Sequence, residues 1–206
     1  FSDAHSYHPW RLGREATIFD FKELSYDNII KAIRNGEGLN GTIETKPEYG
    51  KYHYDGHRNC DISFSPKESR KHNNKCPKCG NELTLGVEYR IEELAKEQEG
   101  YKPKNAKKFY RLIPLHELIA VQYDISQLYS KKIAEIYDSL IKAFNNEFNI
   151  LLNVSYENLT KVVDKKLADL IIKNREDKLK IKPGYDGVYG KVILDYTTQK
   201  NLNQYN

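Results

Sequence analysis

The sequence predicts a mixed α+β chain: the closing strand and helix of an α/β domain, a small zinc-ribbon-like module, and a mainly helical region ending in a β-hairpin. Three observations predict it. Strand, capped-helix and strand signals follow one another within residues 1–47. A stretch dense in histidine, aromatic residues and cysteine, yet poor in aliphatics, occupies residues 48–86. Within residues 87–196, apolar side chains after Ser130 recur at i, i+3, i+4 spacing, the mark of one helical face. Residues 197–206 read as a polar, disordered tail.

Taken in order, Thr17-Ile18-Phe19-Asp20-Phe21 reads as a short strand. Ser25 can cap a helix with Ile29, Ile30 and Ile33 at helical spacing, and Gly36 stops it. Thr42-Ile43-Glu44 reads as a second strand. Residues 48–85 hold too few aliphatics to build an apolar core, so a metal staple is expected. A short helix follows from Gly86 to Lys96, then a basic loop from Gly100 to Lys108. Ile133, Ile136, Tyr137, Leu140, Ile141 and Phe144 mark the clearest helix. Phe148 to Val154 is read as a buried strand, and Leu159 to Ile172 as one or two helices. Lys178–Lys182 and Val188–Leu194 bracket the turn-forming Pro183-Gly184-Tyr185-Asp186-Gly187, the pattern of a hairpin.

The 206 residues are 39% hydrophobic and 30% charged, the balance of a folded chain with a highly charged surface. No apolar run is long enough to span a bilayer, and no secretory leader is evident, so the default compartment is the cytoplasm and no membrane partner is expected. A net charge of +4 permits nucleic-acid binding without requiring it. The chain has no methionine and begins with the bulky Phe1, which predicts that Phe1 is an internal residue of a longer parent.

His57-x2-Cys60 and Cys76-x2-Cys79 are paired half-sites separated by fifteen residues, a spacing that suits a tetrahedral structural zinc site. In Cys76-Pro77-Lys78-Cys79-Gly80, Gly80 lets the turn open so that backbone amides can point at thiolate sulfur. A redox Cys-x-x-Cys pair would more naturally open a helix, and Pro77 and Gly80 favour the knuckle. His53 and His72 are alternatives to His57 as fourth ligand.

Ser2-Asp3-Ala4-His5 sets a carboxylate and an imidazole two apart, on the same side of an extended strand. This segment resembles the last metal-ligand motif of polymerase-and-histidinol-phosphatase (PHP) domains. His8 to Glu15, Gly41-Thr42-Ile43-Glu44, Gly50-Lys51-Tyr52-His53-Tyr54-Asp55-Gly56-His57-Arg58-x-Cys60, the Cys76 knuckle and Pro183 to Lys191 are similar, more particularly, to the archaeal endonuclease Q family. The resemblance runs to about Leu194. It implies that the opening residues close a PHP α/β barrel. It also implies a repair nuclease that cuts 5′ of a deaminated base or an abasic site. Asp3 and His5 would be catalytic and would ligate a divalent cluster of zinc, manganese or magnesium, which activates water and neutralises charge on the phosphate. The remaining ligands would come from a missing N-terminal PHP segment, so the chain alone is expected to be inactive.

Damaged DNA is the expected partner. Arg11, Arg14, Arg58, Tyr185 and Tyr189 are the main candidates to touch it. Tyr52 and Tyr54 could also stack on a base, and Lys67, Lys71, Lys75, Lys78, Lys102, Lys104, Lys107 and Lys108 could meet phosphates, although most such lysines only solvate a surface. Two other functions fit part of the pattern: a non-catalytic zinc-ribbon DNA-binding module, and a PHP-type phosphoesterase acting on small phosphates. The chain contains no Walker A motif, so no ATP requirement is expected.

Overall fold

The computed structural model describes Ala4, Tyr7, His8 and residues 12–194. In chain order its elements are β1 (Ala16–Phe19), α1 (Tyr26–Asn35), β2 (Leu39–Glu44), β3 (Asp55–His57), β4 (Ile62–Phe64), α2 (Pro66–Lys71), α3 (Val87–Leu94) and β5 (Lys108–Arg111). Then follow α4 (Leu115–Gln122), α5 (Lys131–Phe144), α6 (Glu147–Leu152), α7 (Tyr156–Leu159), α8 (Lys165–Arg175), β6 (Lys180–Lys182) and β7 (Lys191–Ile193). Contacts gather these into two units, each made of separated stretches: Phe1–Lys46 with Gly100–Lys178, and Pro47–Glu99 with Leu179–Asn206. The β6–β7 hairpin thus belongs with the cysteine-rich segment and not with the helices that precede it. The tail over 197–206 lies outside the described residues.

In the first unit, β1 runs antiparallel to β2 and β5 runs parallel to it. The sheets formed by the described residues have three, two and two strands, and none closes into a barrel. Helix α1 begins at Ser25, whose side chain accepts from the Asn28 N–H, and ends at Gly36. Strand β5 extends the segment read as a basic loop: after Lys107 the chain pairs with β2, Gly41 opposite Lys108 and Glu44 opposite Arg111. The core is helical, with Ile113, Leu115, Leu118, Ile119, Ile133, Leu140, Ile150, Leu159, Leu167 and Ile171 fully buried. Ile133 and Leu140 carry the face of α5 that the apolar spacing marked.

Phe148–Val154 is not a strand. Residues 147–152 form helix α6, capped by Asn146, whose side-chain oxygen accepts from the Asn149 N–H at 2.9 Å. A short apolar run has the same composition in a buried helix as in a buried strand, and the cap decides between them. The other end of α6 is closed from α8: Arg175 donates to the carbonyls of Ile150, Leu151 and Val154. Asn174, wholly buried, accepts from the Ile113 N–H at 2.9 Å and donates to the Ile113 carbonyl at 3.0 Å, clasping α8 to the chain between β5 and α4.

Among the described residues, the second unit buries only Leu83 and Leu179 of its aliphatic side chains. Its two hairpins, β3–β4 and β6–β7, are antiparallel. The loop between β6 and β7 is laced by backbone hydrogen bonds to residues 48–54: Gly184 N–H to Glu48 O, Gly187 N–H to Lys51 O, Gly190 N–H to Tyr49 O, and Tyr54 N–H to Gly184 O.

Candidate metal centre

Two arms bring the four spaced residues together. The first leaves β3 at His57, makes a 3-10 turn over Arg58–Cys60, and reverses at Asp61, which has φ 50°. The second is the knuckle. Gly80 N–H donates to Cys76 O at 2.8 Å, Cys76 N–H donates to Asn81 O at 2.7 Å, and Gly80 has φ +75°, a conformation that favours glycine. Paired 2.9 Å hydrogen bonds between Gly56 and Thr84 join the arms, as does Lys78 Nζ donating to Cys60 O at 2.7 Å.

The ligand atoms of His57, Cys60, Cys76 and Cys79 all lie within 4.8 Å of one another. A tetrahedral ion with metal–sulfur bonds of about 2.3 Å needs sulfur–sulfur edges of about 3.8 Å and sulfur–nitrogen edges of about 3.6 Å. Cys79 Sγ is already 3.4 Å from His57 Nδ1. The residues therefore fit a metal staple with small adjustments. The donor set agrees, since soft thiolates and neutral imidazole suit a borderline-soft dication such as zinc, and four protein donors leave no open position for catalysis. His53 and His72 stand apart from the group. His53 is buried, 3.9 Å from the Glu88 carboxylate and stacked on Tyr54, and His72 stacks on Phe64.

Electrostatics within the cluster point the same way. The Cys60 thiol is pushed up to about 11, by burial first and then by its hydrogen bonds with Cys79 and Cys76 and their charges. Burial also opposes ionisation of Cys76. There the N–H groups of Cys79 and Lys78, with the side chains of His57 and Cys79, prevail and bring it down to about 6. Crowded thiols thus resist carrying several negative charges unless a cation sits among them.

Around this centre, Asp186 is the residue that sequence reasoning missed. Its carboxylate accepts from the Arg58 N–H and from the Thr84 hydroxyl, each at 2.7 Å, one contact on each arm. Burial pushes the carboxyl up, but these hydrogen bonds and the charges of Arg58 and His57 hold it below its ordinary range. The Asp-Gly dipeptide signals a turn, and nothing in its local sequence signals a strut between segments over a hundred residues away.

The candidate DNA contacts separate by exposure. Arg14 is ion-paired at 3.2 Å with the buried carboxylate of Glu117 in the first unit. Arg58 is exposed. Tyr185 is only 5% exposed, and its hydroxyl donates to Asp61 at 2.7 Å. That hydrogen bond, followed by burial and the Asp61 charge, pushes the phenol up to about 12. Tyr189 is 61% exposed. Among the lysines, Lys107 Nζ donates to Gly36 O at 3.2 Å. Asp3, His5 and Arg11 lie outside the described residues. Among the described residues, no helix is long and apolar enough to cross a membrane.

Fold and centre define a mixed α/β protein whose second unit is built on a Cys3His cluster able to hold a metal ion. Residues 114–178 match the MJ0043 C-terminal domain family. Uncharacterized protein MJ0043 of Methanocaldococcus jannaschii is 35% identical over 196 residues, covering 93% of this chain and 24% of the relative. YqxK of Bacillus subtilis is 29% identical over 194 residues, covering 93% of this chain and 45% of YqxK. Among solved structures, the lesion-specific endonuclease PfuEndoQ of Pyrococcus furiosus matches with a TM-score of 0.82 and 34% identity over 94% of this chain and 48% of that one. An endonuclease Q in complex with a 27-mer duplex bearing an abasic lesion at its active site matches with a TM-score of 0.80 and 32% identity, covering 100% of this chain and 52% of that one. In sequence and fold the chain is thus similar to about half of endonuclease Q, a DNA endonuclease. It spans from about a quarter to about half the length of the proteins it matches.

Proposed function

We propose that this chain forms the C-terminal part of a metal-dependent DNA endonuclease that nicks 5′ of deaminated bases or abasic sites during repair. The observation that supports this most is a match along the whole chain, at 32% identity, to an endonuclease Q bound to a duplex with an abasic lesion. In this reading Asp3 and His5 supply two ligands of a divalent cluster, and an N-terminal PHP segment supplies the others. The cluster, when bound, activates water and neutralises charge on the scissile phosphate. His57, Cys60, Cys76 and Cys79 hold a structural zinc that orders the second unit in place of an aliphatic core. Arg58 and Tyr189 are each exposed, so that DNA can reach them.

The test joins the chain to the N-terminal segment of a parent protein and supplies duplexes carrying uracil, hypoxanthine or an abasic site, with divalent metal. The expected result is a nick 5′ of the lesion that is lost in Asp3→Ala and His5→Ala and never made by the chain alone. Lesion duplexes left intact by the complete protein, or cut equally well by Asp3→Ala, would defeat the proposal. DNA binding without cutting would leave the non-catalytic binding module in its place.

A further inference from the structure

The second unit carries an exposed cluster of cation and aromatic rings that the metal centre does not use. Lys51 Nζ lies 5.6 Å from the centroid of the Tyr52 ring and 5.8 Å from that of Tyr189. Both are within the reach of cation–π attraction. Tyr52 is 47% exposed and Tyr189 61% exposed, whereas Tyr185 of the same loop is packed away. Rings left this bare contribute little to a core, so packing does not explain them.

Distant parts of the sequence build the cluster, and the backbone holds them tightly. The lacing hydrogen bonds bring Tyr189 beside Lys51 and Tyr52. The approach is so close that a Cβ on Gly184 would lie 2.2 Å from Gly50 O, and one on Gly190 2.2 Å from Glu48 O. A second, independent feature adjoins it. Lys182 faces Lys191 directly across the β6–β7 hairpin, and both are exposed. Like charges opposite one another destabilise a strand pair; the Asp61 carboxylate already offsets Lys182, which leaves Lys191 to attract an anion. Lys191 follows Tyr189 by two positions, so positive charge and bare rings are contiguous along the chain.

A free phosphate would use the lysines and leave the rings idle, and an acidic peptide would do the same. Bases inside a duplex have no free faces to offer. An unpaired nucleotide uses both features, its base on a ring and its phosphates on the lysines. We propose that Tyr52 and Tyr189 form a stacking platform for an unpaired nucleobase of DNA, with Lys51 and Lys191 on its flanking phosphates. This deepens the nuclease reading and rests on it, since a lesion is where a strand exposes such a base.

The test measures binding of the 206-residue chain to a short single strand, an intact duplex, and a duplex with an unpaired base opposite an abasic site. Wild type should prefer the two substrates with unpaired bases. Tyr52→Leu and Tyr189→Leu should each weaken single-strand binding by about 5- to 150-fold, while Tyr189→Phe stays within about twofold. Lys51→Ala should reduce the slope of log affinity against log salt by about 0.7, one phosphate contact on a single strand. Unchanged metal content in each variant shows that the module is still folded. Leu variants that bind like wild type, or a Phe variant as weak as Leu, would overturn the platform. Competition by polyglutamate as strong as by DNA would overturn it in favour of an acidic partner. If the wild-type chain binds no DNA, the platform falls, and the nuclease reading falls with it only when the complete enzyme also leaves lesion duplexes intact. If the complete enzyme nicks lesions while the Leu variants bind normally, the platform alone falls.

Discussion

Removing the Asp186 carboxylate should loosen the second unit locally without dissolving the first. Its oxygens each accept one 2.7 Å hydrogen bond, from the Arg58 N–H between two cluster residues and from the Thr84 hydroxyl beyond the knuckle. A charge-assisted hydrogen bond contributes about 1.5–3 kcal/mol when well shielded. Asp186 is half-buried, and water can replace part of what is lost, so the pair is worth about 2 kcal/mol rather than the full sum. Asp186→Ala should therefore raise the local opening equilibrium about thirtyfold. Native-state hydrogen exchange reads this at the Gly187 and Gly190 amides, which are bonded to Lys51 O and Tyr49 O. Amides of α4 in the other unit serve as the unaffected reference. Asp186→Asn keeps an acceptor without the charge and should cost about 1 kcal/mol, about a fivefold rise. The pH dependence has a definite sign. The folded-state pKa is depressed, so the stabilisation is present above the ordinary carboxylate range and is lost as pH falls through the folded value. The difference between wild type and Asp186→Ala should shrink in acid. Exchange at Gly187 and Gly190 in Asp186→Ala within about twofold of wild type at neutral pH would refute the strut.

Three further outcomes are expected. Asn174→Ala leaves the buried N–H and C=O of Ile113 unpaired and should destabilise the first unit by about 3–5 kcal/mol in urea titrations; Asn174→Asp should be nearly as costly, because a carboxylate cannot donate to that carbonyl. A cost below about 1 kcal/mol for Asn174→Ala would show that water or rearrangement restores the pair. Glu147 has a raised pKa, owing first to burial, against which the Leu115 N–H and the Tyr137 hydroxyl act. Its stabilising contribution is therefore present at low pH and lost as pH rises through the folded value, so Glu147→Gln should gain stability relative to wild type above that value and not below it. A pH-independent difference would contradict this. The chain should bind about one zinc ion, and a chelator should expose the three thiols to titration and abolish exchange protection in β3, β4 and the knuckle. Three thiols that titrate freely in the native, metal-replete chain would exclude the centre.

Much of the secondary structure was legible because its signals are local. Ser25 and Gly36 bound α1, the stripe from Ile133 to Phe144 marks α5, and turn residues separate β6 from β7. The Cys3His group was legible for a similar reason, since each ligand pair is only three positions apart and the knuckle carries its own turn residue. Residues 148–154 were misread because a short apolar run is degenerate between helix and strand, and the decisive cap at Asn146 is a single polar atom. Strand β5 was missed because Lys108–Arg111 shows no apolar alternation. Its identity comes from the partner β2 that it lies beside.

Residue types at short spacing thus determined which elements form, which three cysteines can share an ion with one of His53, His57 and His72, and the resemblance to a DNA-processing family. Tertiary structure alone decided that the terminal hairpin joins the cysteine-rich segment, that Tyr185 is buried while Tyr52 and Tyr189 flank Lys51, and that Asp186 spans both arms of the metal module. The physical reason is range. Caps, turns and ligand pairs are settled by atoms within one or two turns of backbone, whereas burial and cross-chain hydrogen bonds depend on segments whose separation in sequence carries no trace of their closeness in space.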